Sequence, residues 1–526
     1  MTAPVRALAP AQASAAVQAA PTLTALVHAI ATETPDAPAL TLGELTRTFA
    51  ELDARSARVA AALAAAGVGD GDRVAVLDKN APTFYEVVLG AARLRAVTVG
   101  LNFRLAAQEI AAIVSDARPV VVVVSPELRD LVPGGPGSPM VIELGAPYED
   151  WLATAPAQEP VDLAQSDDVA LQLYSSGTTG KPKGALLTHA NLLFTPRMGR
   201  EFYGMGSDSV NLVPSPLFHI GGVGYSLTTL GQGGHTVLVR DVDPVLLLAL
   251  IGRHRVTHTF LVPSVVQMLV DSPSLSGADL SSLRRIAYGA APMGETQLLK
   301  AMELFGCDFM GVYGMTETAG TVIALDPADH DPGGPRAGLL RSVGRPMPWL
   351  DVRIVDPATL EDAAPGGVGE IWVRSGQNTV GYWNQPQLTA DALLAGGWLR
   401  TGDAAYLDDE GFVFMHDRIK DMVVSGGENI YPAEVENVLY AHPAVQEVAV
   451  IGVPSDRWGE TVKAVIVRRP DVPVDAAELI AFARERLAHY KCPTSIDFAD
   501  ELPRNASGKL LKHTLRAPFW KDTARA

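Results

Sequence analysis

A chain of 526 residues, 48% of them hydrophobic, can bury more than one core, so we expect more than one domain. A formal net charge of −17 argues against nucleic-acid binding through a general basic surface, so any anionic ligand must be held by local lysines and arginines. Two cysteines, Cys307 and Cys492, argue against a disulfide scaffold and favour a reducing cytoplasm. No transmembrane segment is visible, because the valine run at 120–124 is too short to span a bilayer and is typical of a buried strand.

The first 20 residues are rich in alanine, with Arg6 as their only charged side chain. They lack the apolar block that marks a signal peptide, so we interpret residues 1–22 as a flexible extension. From Leu23 onward, strand and helix patterns alternate, which predicts helices packed on mostly parallel sheets. The predicted strands are at 73–77, 97–99, 120–124, 237–239 and 257–262, and the predicted helices are at 84–94, 106–115 and 244–253.

The segment 174–184 carries three glycines, four Ser or Thr hydroxyls and two lysines within eleven residues. Its backbone N–H groups, hydroxyls and ammonium groups can wrap a polyphosphate, because together they offset several phosphate charges. It is not a Walker A loop, which places four residues between its glycines, whereas two residues separate Gly177 from Gly180. A flexible linker is the alternative, but strand patterns at 171–174 and 185–187 flank the segment and favour the phosphate site.

Beyond about residue 340 the pattern changes to short strands separated by Gly, Pro and Asp turns, which predicts a β-rich subdomain over about 340–417. Four charges among the five residues at 417–421 then mark a break, after which strand, loop and helix patterns begin again. A helix opened by Pro432, with further strands and a second helix, predicts a small α+β domain over 421–526. We place the domain boundary near Arg418; a charged surface turn inside one domain is the alternative.

Five segments occur in an order that resembles the adenylate-forming superfamily of acyl-CoA synthetases, adenylation domains and firefly luciferase. They are the loop at 174–184, Tyr-Gly-Met-Thr-Glu at 313–317, Thr-Gly-Asp at 401–403, Asp-Arg-Ile-Lys-Asp at 417–421 and Pro-Arg-Asn-Ala-Ser-Gly-Lys at 503–509. The resemblance runs from about residue 23 to 516, and Ser-Gly-Gly-Glu-Asn-Ile-Tyr-Pro at 425–432 looks most like bacterial fatty-acyl and aryl-CoA ligases. It implies an α/β fold with a large N-terminal domain over 23–417, a hinge at 418–420 and a small mobile C-terminal domain over 421–526.

The resemblance implies an AMP-forming acid–thiol ligase that uses ATP, Mg²⁺ and coenzyme A. In the first step a carboxylate attacks the α-phosphate of ATP, and because both are anions, cations and donors must offset their repulsion. Lys509 is expected to bridge the carboxylate and the α-phosphate, Thr316 to donate its hydroxyl to that phosphate, and Glu317 to bind Mg²⁺. The family often has Thr where this chain has Ser507, a departure that keeps the hydroxyl.

The resemblance also assigns the nucleotide site. Asp403 is expected to hold the ribose hydroxyls and Arg418 to lie beside ribose or phosphate, whereas the segments 289–292 and 311–313 would enclose adenine. A lone acidic residue is usually a surface charge, so these roles depend on the joint pattern. The implied ATP- and AMP-binding residues are Ser175, Ser176, Gly177, Thr178, Thr179, Gly180, Lys181, Lys183, Gly289, Ala290, Ala291, Pro292, Val312, Tyr313, Gly314, Met315, Thr316, Asp403, Arg418 and Lys509.

In the second step the thiol of a pantetheine arm displaces AMP, and the resemblance implies that the small domain rotates about Lys420 between the steps. This rotation would withdraw Lys509 and bring in the loop at 426–429, whose paired glycines let the backbone lie close to the arm. A plain hairpin turn is the alternative for this loop. The implied acyl pocket and CoA channel are lined by His219, Gly221, Gly222, Tyr225, Gly289, Gly314, Gly426, Gly427 and Glu428.

His219 is expected to gate that pocket, with a core histidine as the alternative. The glycines at 221, 222 and 224 are unusual for plant-type aryl ligases, and we interpret their missing side chains as a roomier pocket for a medium- or long-chain fatty acid or a bulky ring-containing acid. Other hypotheses are an aryl- or phenylpropanoid-CoA ligase, an enzyme that loads a separate carrier protein, and a non-enzymatic acyl-binding protein with a decayed site. The last predicts missing charged positions, yet Glu317, Asp403, Arg418 and Lys509 are present. Oligomeric state is left open, with a homodimer among the candidates.

Overall fold

The computed structural model describes residues 13–135, 137–157, 161–175, 183–291, 293–357, 359–418, 421–425, 428–430, 432–455, 457–470, 472–504 and 510–520. Its helices are α1 (Ala15–Gln18), α2 (Leu23–Glu33), α3 (Phe49–Ala65), α4 (Pro82–Arg93), α5 (Ala107–Ala117), α6 (Ala146–Thr154), α7 (His189–Leu192), α8 (Phe194–Glu201), α9 (Ile220–Leu230), α10 (Pro244–His254), α11 (Pro263–Val270), α12 (Glu295–Phe305), α13 (Pro386–Ala392), α14 (Pro432–Tyr440), α15 (Ala476–Arg484) and α16 (Lys512–Arg516). Among the described residues, no helix is both long and apolar enough to cross a membrane.

The strands are β1 (Pro38–Leu42), β2 (Leu45–Thr48), β3 (Arg73–Leu77), β4 (Val97–Gly100), β5 (Val121–Val124), β6 (Met140–Glu143), β7 (Val169–Ser175), β8 (Lys183–Thr188), β9 (Val210–Val213), β10 (His235–Leu238), β11 (His258–Leu261), β12 (Arg285–Gly289), β13 (Asp308–Met315), β14 (Gly320–Leu325), β15 (Arg345–Pro346), β16 (Asp351–Val355), β17 (Gly369–Arg374), β18 (Gly381–Tyr382), β19 (Leu393–Leu394), β20 (Trp398–Leu407), β21 (Val413–Arg418), β22 (Val423–Ser425), β23 (Glu428–Ile430), β24 (Val445–Ser455), β25 (Gly459–Arg468) and β26 (Ser495–Phe498).

Contacts between residues divide the chain into two compact units. The first comprises the described residues up to Leu340 with Met347–Leu350 and Arg374–Leu399, and the second comprises Arg341–Pro346, Asp351–Val373 and the described residues from Arg400 onward. This division differs from the predicted boundary near Arg418, because the β-rich strands group with the C-terminal residues. The hinge at 418–420 stays a prediction, since residues 419 and 420 lie outside the described part of the chain.

Two sheets form the framework of the first unit. One has the strand order β14-β13-β12-β11-β9-β10-β1-β2, and the other has the order β18-β8-β7-β4-β3-β5-β6. The pairs from β9 to β13 and from β3 to β6 are parallel. The valines of β5 are all 0% exposed, as expected for a central strand with both faces covered. The predicted architecture of helices on mostly parallel sheets is therefore confirmed.

Strand ends in the two sheets of this unit carry predicted site residues. Parallel pairing brings the carboxyl ends of β12 and β13 to one edge, where Gly289 pairs with Val312. Such edges are where α/β folds bind their ligands. In the other sheet β7 and β8 are antiparallel, and their terminal pair, Ser175 with Lys183, brackets the segment 176–182. Strands therefore flank the glycine-rich segment, as its sequence predicts.

The second unit contains two further groups of strands. β16, β17, β20 and β21 are neighbours in one sheet, and the order β23-β22-β25-β24, with β26 beside β25, forms another. α14 buries Val435 and Leu439, both 0% exposed, against the core of the second sheet. The β-rich subdomain and the small α+β domain predicted from the sequence are both present.

Residues 13–22 differ from the predicted flexible extension. Ser14 caps α1 by accepting a hydrogen bond from the Val17 backbone, and Val17 is 3% exposed within the main core of the first unit. Because Val17 is a single valine among alanines, the composition of the segment did not reveal that part of it is buried. The first twelve residues lie outside the described part of the chain.

Candidate active site

Glu317, the predicted Mg²⁺ ligand, is buried and held in place by hydrogen bonds. It lies in the 3₁₀ turn Thr316–Thr318 that follows β13, and it is 5% exposed. Its Oε1 accepts a hydrogen bond of 2.9 Å from the Tyr382 hydroxyl, and its backbone carbonyl accepts one of 2.7 Å from Thr379 N. Burial, and then the Glu317 carboxylate, raises the pKa of Tyr382 well above its ordinary value. Tyr382 therefore stays protonated and holds one carboxylate oxygen in place.

Tyr382 was missed by the sequence analysis, although it joins Glu317 to the glycine-rich segment. Its strand β18 pairs antiparallel with β8, with Tyr382 opposite Ala185, and Trp383 N donates to the Gly184 carbonyl at 2.8 Å. The Nζ of Lys183 lies 5.7 Å from the centre of the Tyr382 ring. The available signal was the Gly-Tyr-Trp run at 381–383, a glycine followed by two aromatics in a turn-rich stretch.

A second network fixes the other end of the glycine-rich segment. The Tyr174 hydroxyl donates to Asp116 Oδ2 at 2.5 Å, and Trp383 Nε1 donates to the Asp116 carbonyl at 3.0 Å. The Arg73 guanidinium lies 3.3 Å from the centre of the Trp383 ring, a cation–π contact. Asp116, on α5, therefore holds both the end of β7 and the residue after β18. Asp116, Arg73 and Trp383 were not predicted as site residues.

Glycines at the carboxyl edge of β12 and β13 are required by close backbone approach. A Cβ on Gly289 would lie 2.2 Å from the Val312 carbonyl oxygen, and one on Gly314 would lie 1.9 Å from that of Gly320. Ala290 adopts a left-handed φ of +64°, which is uncommon for a residue with a side chain. The ends of these strands are therefore a tightly packed backbone surface, and their role in binding adenine stays a prediction.

Buried polar side chains support the turn that carries Thr316 and Glu317. Thr318 Oγ1 donates to the Met315 and Gly320 carbonyls. Gln377 Nε2 donates to the Thr318 carbonyl at 3.2 Å, and Gln377 Oε1 accepts 2.7 Å from Trp349 Nε1. These contacts fix the backbone around Thr316, which is 9% exposed.

In the second unit, Asp403 lies on β20 and is 7% exposed. Its backbone N donates to Thr401 Oγ1 at 3.1 Å, and its backbone is paired with that of Arg418 on β21. The buried Glu370 accepts hydrogen bonds from Gly402 N and Arg400 Nε, at 3.0 and 2.9 Å. Glu370 therefore orders the predicted Thr-Gly-Asp segment, a role that the sequence did not indicate.

Several predicted site residues lie outside the described part of the chain. They are Ser176, Gly177, Thr178, Thr179, Gly180, Lys181, Pro292, Lys420, Gly426, Gly427 and Lys509, together with the side chains of Ser175, Arg418 and Glu428. Their assigned roles stay predictions.

His219 is the N-cap of α9, where its Nδ1 accepts a hydrogen bond of 3.1 Å from Gly221 N. The glycine at 222 is required by packing, because a Cβ there would lie 2.1 Å from the Pro216 carbonyl oxygen. The interpretation of Gly222 as a sign of a roomier pocket is therefore wrong. At Gly221 and Gly224 a Cβ would meet the side chains of Phe260 and Ile220 at 3.1 Å, a tight contact with side-chain and not backbone atoms.

Tyr225 belongs to a cluster rich in methionine and aromatic side chains. This methionine–aromatic cluster consists of Met198, Tyr203, Met205, Tyr225, Phe260, Ala287, Met310, Ala324 and Met347, with Phe202, Val262, Val312, Trp349 and Leu350 packed against it. It lies between α8, α9 and the sheet that carries β12 and β13, all in the first unit. Val312 continues directly into the predicted Tyr-Gly-Met-Thr-Glu segment.

Comparison with known families settles the class of the protein. A family model described as AMP-binding enzyme matches residues 27–383, and one described as AMP-binding enzyme C-terminal domain matches residues 434–509. The chain belongs to the AMP-binding enzyme family. The predicted adenylate-forming superfamily, its acyl-CoA synthetase branch and the predicted class of AMP-forming ligase are confirmed.

Relatives of this AMP-binding enzyme cover nearly its whole length. It is 42% identical over 487 residues to feruloyl-CoA synthase of an Amycolatopsis species, covering 92% of this chain and 96% of the relative. It is 37% identical over 500 residues to fatty acid–[acyl-carrier-protein] ligase ScoC of Streptomyces coeruleorubidus, covering 93% and 95%. The crystal structure of ATP-bound MatB from Rhodopseudomonas palustris matches with a TM-score of 0.85 at 31% identity, covering 94% and 99%. These relatives leave the acid open between fatty and aryl classes.

Proposed function

We propose that this AMP-binding enzyme activates a fatty or ring-containing carboxylic acid with ATP and transfers the acyl group to coenzyme A. The observation that carries the proposal is the buried Glu317 carboxylate, held by Tyr382 beside strand β8 of the glycine-rich segment. A single oriented carboxylate near the predicted phosphate-binding segment suits a reaction of phosphate groups, because positioning and electrostatics supply most of the rate of such reactions.

The reaction comprises two displacements. In the first, a carboxylate oxygen of the acid bonds to the α-phosphorus of ATP, and the bond from that phosphorus to the bridging oxygen breaks as pyrophosphate leaves. In the second, the CoA sulfur bonds to the acyl carbon, the acyl–oxygen bond breaks, AMP leaves, and the thiol proton is released. The glycine-rich segment would grip the departing phosphates, and Thr316 would donate to the α-phosphate.

Glu317 would hold the Mg²⁺ that the family uses with ATP. No group of three or more His, Cys, Asp or Glu side chains forms a metal cage within the described residues. One buried carboxylate beside the phosphates fits Mg²⁺, which is commonly bound by one or two carboxylates together with phosphate oxygens and water. When bound, the ion offsets the charge of the phosphate oxygens.

Separate assays of the two half-reactions test the proposal through Lys509. Lys509→Ala should lower acid-dependent ATP–pyrophosphate exchange by at least about a hundredfold, because it removes a cation from the charged transition state. The same variant should convert supplied acyl-adenylate and CoA to thioester at nearly the wild-type rate. The exposed Lys300→Ala variant is the control and should retain both rates. Equal loss of both half-reactions in Lys509→Ala would contradict two separate active conformations.

A carrier protein is the second candidate acceptor, favoured by the similarity to the acyl-carrier-protein ligase of Streptomyces coeruleorubidus. Thioester yields with CoA and with a phosphopantetheinylated carrier protein, at equal thiol concentration, distinguish the two acceptors. A higher thioester yield with CoA supports the proposal. Thioester formed only on the carrier protein would show that the carrier, and not CoA, is the acyl acceptor.

We also propose a reducing compartment, the cytoplasm, for this enzyme. Cys307 and Cys492 are free, and burial raises the pKa of both thiols, which makes them poor nucleophiles. Sedimentation velocity would test the homodimer that the sequence leaves open.

A further inference from the structure

Tyr225, inside the methionine–aromatic cluster, has a buried hydroxyl with no hydrogen-bond partner among the described residues. The residue is 7% exposed, and its ring packs edge-on against Tyr203, with centres 5.2 Å apart, and at a tilt against Phe260 at 5.6 Å. The hydroxyl of the neighbouring Tyr203, by contrast, shares a hydrogen bond of 3.0 Å with Thr321. Buried hydroxyls are normally paired, so an unpaired one calls for a specific explanation.

The side chains packed around Tyr225 include several that can rearrange around a ligand. Met198, Met205, Met310 and Met347, four of the 12 methionines in the chain, all belong to this cluster. Methionine is unbranched and adaptable, so it can make room where a branched side chain cannot, and aromatic rings supply flat apolar surface. Binding pockets typically combine such walls with a few placed polar groups.

The position of the cluster fits the acyl end of the reaction. Val312 packs against it and lies four residues before Thr316 on the same strand-and-turn segment. Phe260 borders Gly221, whose backbone N–H is held by His219.

We infer that the Tyr225 hydroxyl recognises a hydrogen-bonding oxygen at the distal end of a ring-containing acid, an inference that rests on the proposed acid activation. An aromatic ring would pack against Phe260 and the methionines, and its oxygen would give Tyr225 the missing partner. A saturated fatty chain would leave that hydroxyl buried and unpaired, which disfavours such a substrate.

The test compares matched acids that differ in one oxygen. ATP–pyrophosphate exchange is measured for the wild type with cinnamic and 4-hydroxycinnamic acid, with phenylacetic and 4-hydroxyphenylacetic acid, and with dodecanoic acid. In at least one pair kcat/KM for the hydroxylated acid should exceed that of its parent by about tenfold, the typical worth of one hydrogen bond. Tyr225→Phe should reduce that ratio to about one or two.

Tyr203→Phe is the matched control, because its hydroxyl is already paired, and it should keep the wild-type ratio. Urea unfolding of the ligand-free enzymes separates binding from folding: Tyr225→Phe should not lower the midpoint, since no partner is lost, whereas Tyr203→Phe should lower it. A Tyr225→Phe enzyme that keeps the wild-type ratio would overturn the inference. So would a wild type that exchanges best with dodecanoate, a result that leaves the proposed function standing. Exchange with none of the five acids would overturn both.

Discussion

The edge formed by β7, β8, β18 and Glu317 differs in construction from the methionine–aromatic cluster, although both belong to the first unit. At the edge the polar groups are paired: Tyr382 holds Glu317, and Tyr174 is held by Asp116. In the cluster the walls are adaptable and the Tyr225 hydroxyl is unpaired among the described residues. ATP is the same in every turnover, so a fixed geometry suits its site. The acid differs between relatives, so side chains that can rearrange suit the acyl site.

The start of α9, which borders the cluster, gives the largest expected effect. Gly222→Ala should destabilise the enzyme by more than about 3 kcal/mol, because its Cβ would lie 2.1 Å from the Pro216 carbonyl oxygen, a backbone atom that cannot move aside. Gly224→Ala should change stability by less than about 1 kcal/mol, because alanine favours the helix and the atom it meets is the flexible end of Ile220. Urea midpoints followed by tryptophan fluorescence measure both.

A mild effect at both positions would restore the interpretation of these glycines as open pocket space. Severe loss at both would mean that the whole first turn of α9 is as rigid as the phosphate edge, and the contrast between the two regions would fail.

At the phosphate edge, Glu317→Gln should lower kcat/KM for ATP by at least about a hundredfold, because it removes the charge that the proposed Mg²⁺ site needs. Tyr382→Phe should cost about tenfold, since it removes only the donor that orients the carboxylate. Mg²⁺ titrations of pyrophosphate exchange are the measurement. The Tyr382→Phe loss should shrink at saturating Mg²⁺, whereas the Glu317→Gln loss should persist.

Unchanged Mg²⁺ dependence in Tyr382→Phe would show that the hydrogen bond is structural only. Tyr85→Phe is the matched control, because its buried hydroxyl bonds Ser226 and not Glu317. It should leave the apparent Mg²⁺ affinity unchanged.

Local sequence predicted the elements of this site but not the contacts that join them. Strand 73–77 was predicted with the observed bounds, and strands flank the glycine-rich segment as predicted. The partners of those elements are distant in the chain: Tyr382 is 65 residues from Glu317, and Asp116 is 58 from Tyr174. One sequence contains no information about such pairings, because any tyrosine or aspartate satisfies the local pattern.

The reason for a glycine is equally hidden from the sequence. Gly222 and Gly224 look alike in the run Gly-Gly-Val-Gly, yet a Cβ would meet a backbone carbonyl at one and the end of the Ile220 side chain at the other. The Tyr225 hydroxyl shows the same limit, since whether a buried hydroxyl has a partner depends on packing between α9 and residues far away in the chain. The sequence pattern identifies which face of a helix or strand is buried. Packing between distant segments decides which polar atoms on that face remain available to a ligand.

The buried histidine that bonds the Tyr203 backbone beneath the cluster is expected to make stability depend on pH. His258 is 1% exposed and shares hydrogen bonds with the Tyr203 carbonyl and the Thr257 hydroxyl. Burial, and then the nearby Arg285, lowers the pKa of His258 to about 3. The ordinary pKa of histidine is about 6.5, so below that pH the unfolded chain binds a proton at His258 that the folded enzyme does not bind. Stability should therefore fall as pH drops from about 6.5 towards 3, by about 2 kcal/mol at pH 5 from this residue alone.

His258→Asn should remove that share of the acid sensitivity, so that the difference in unfolding free energy between pH 7.5 and pH 5.0 shrinks by about 2 kcal/mol. Part of the sensitivity should remain, because burial also lowers the pKa of His189 to about 4. Comparing differences between two pH values removes the packing cost of the substitution, which is the same at both. If His258→Asn kept the full wild-type difference, His258 would be protonated in the folded enzyme, and the backbone of Tyr203 would accept its hydrogen bond from a charged donor.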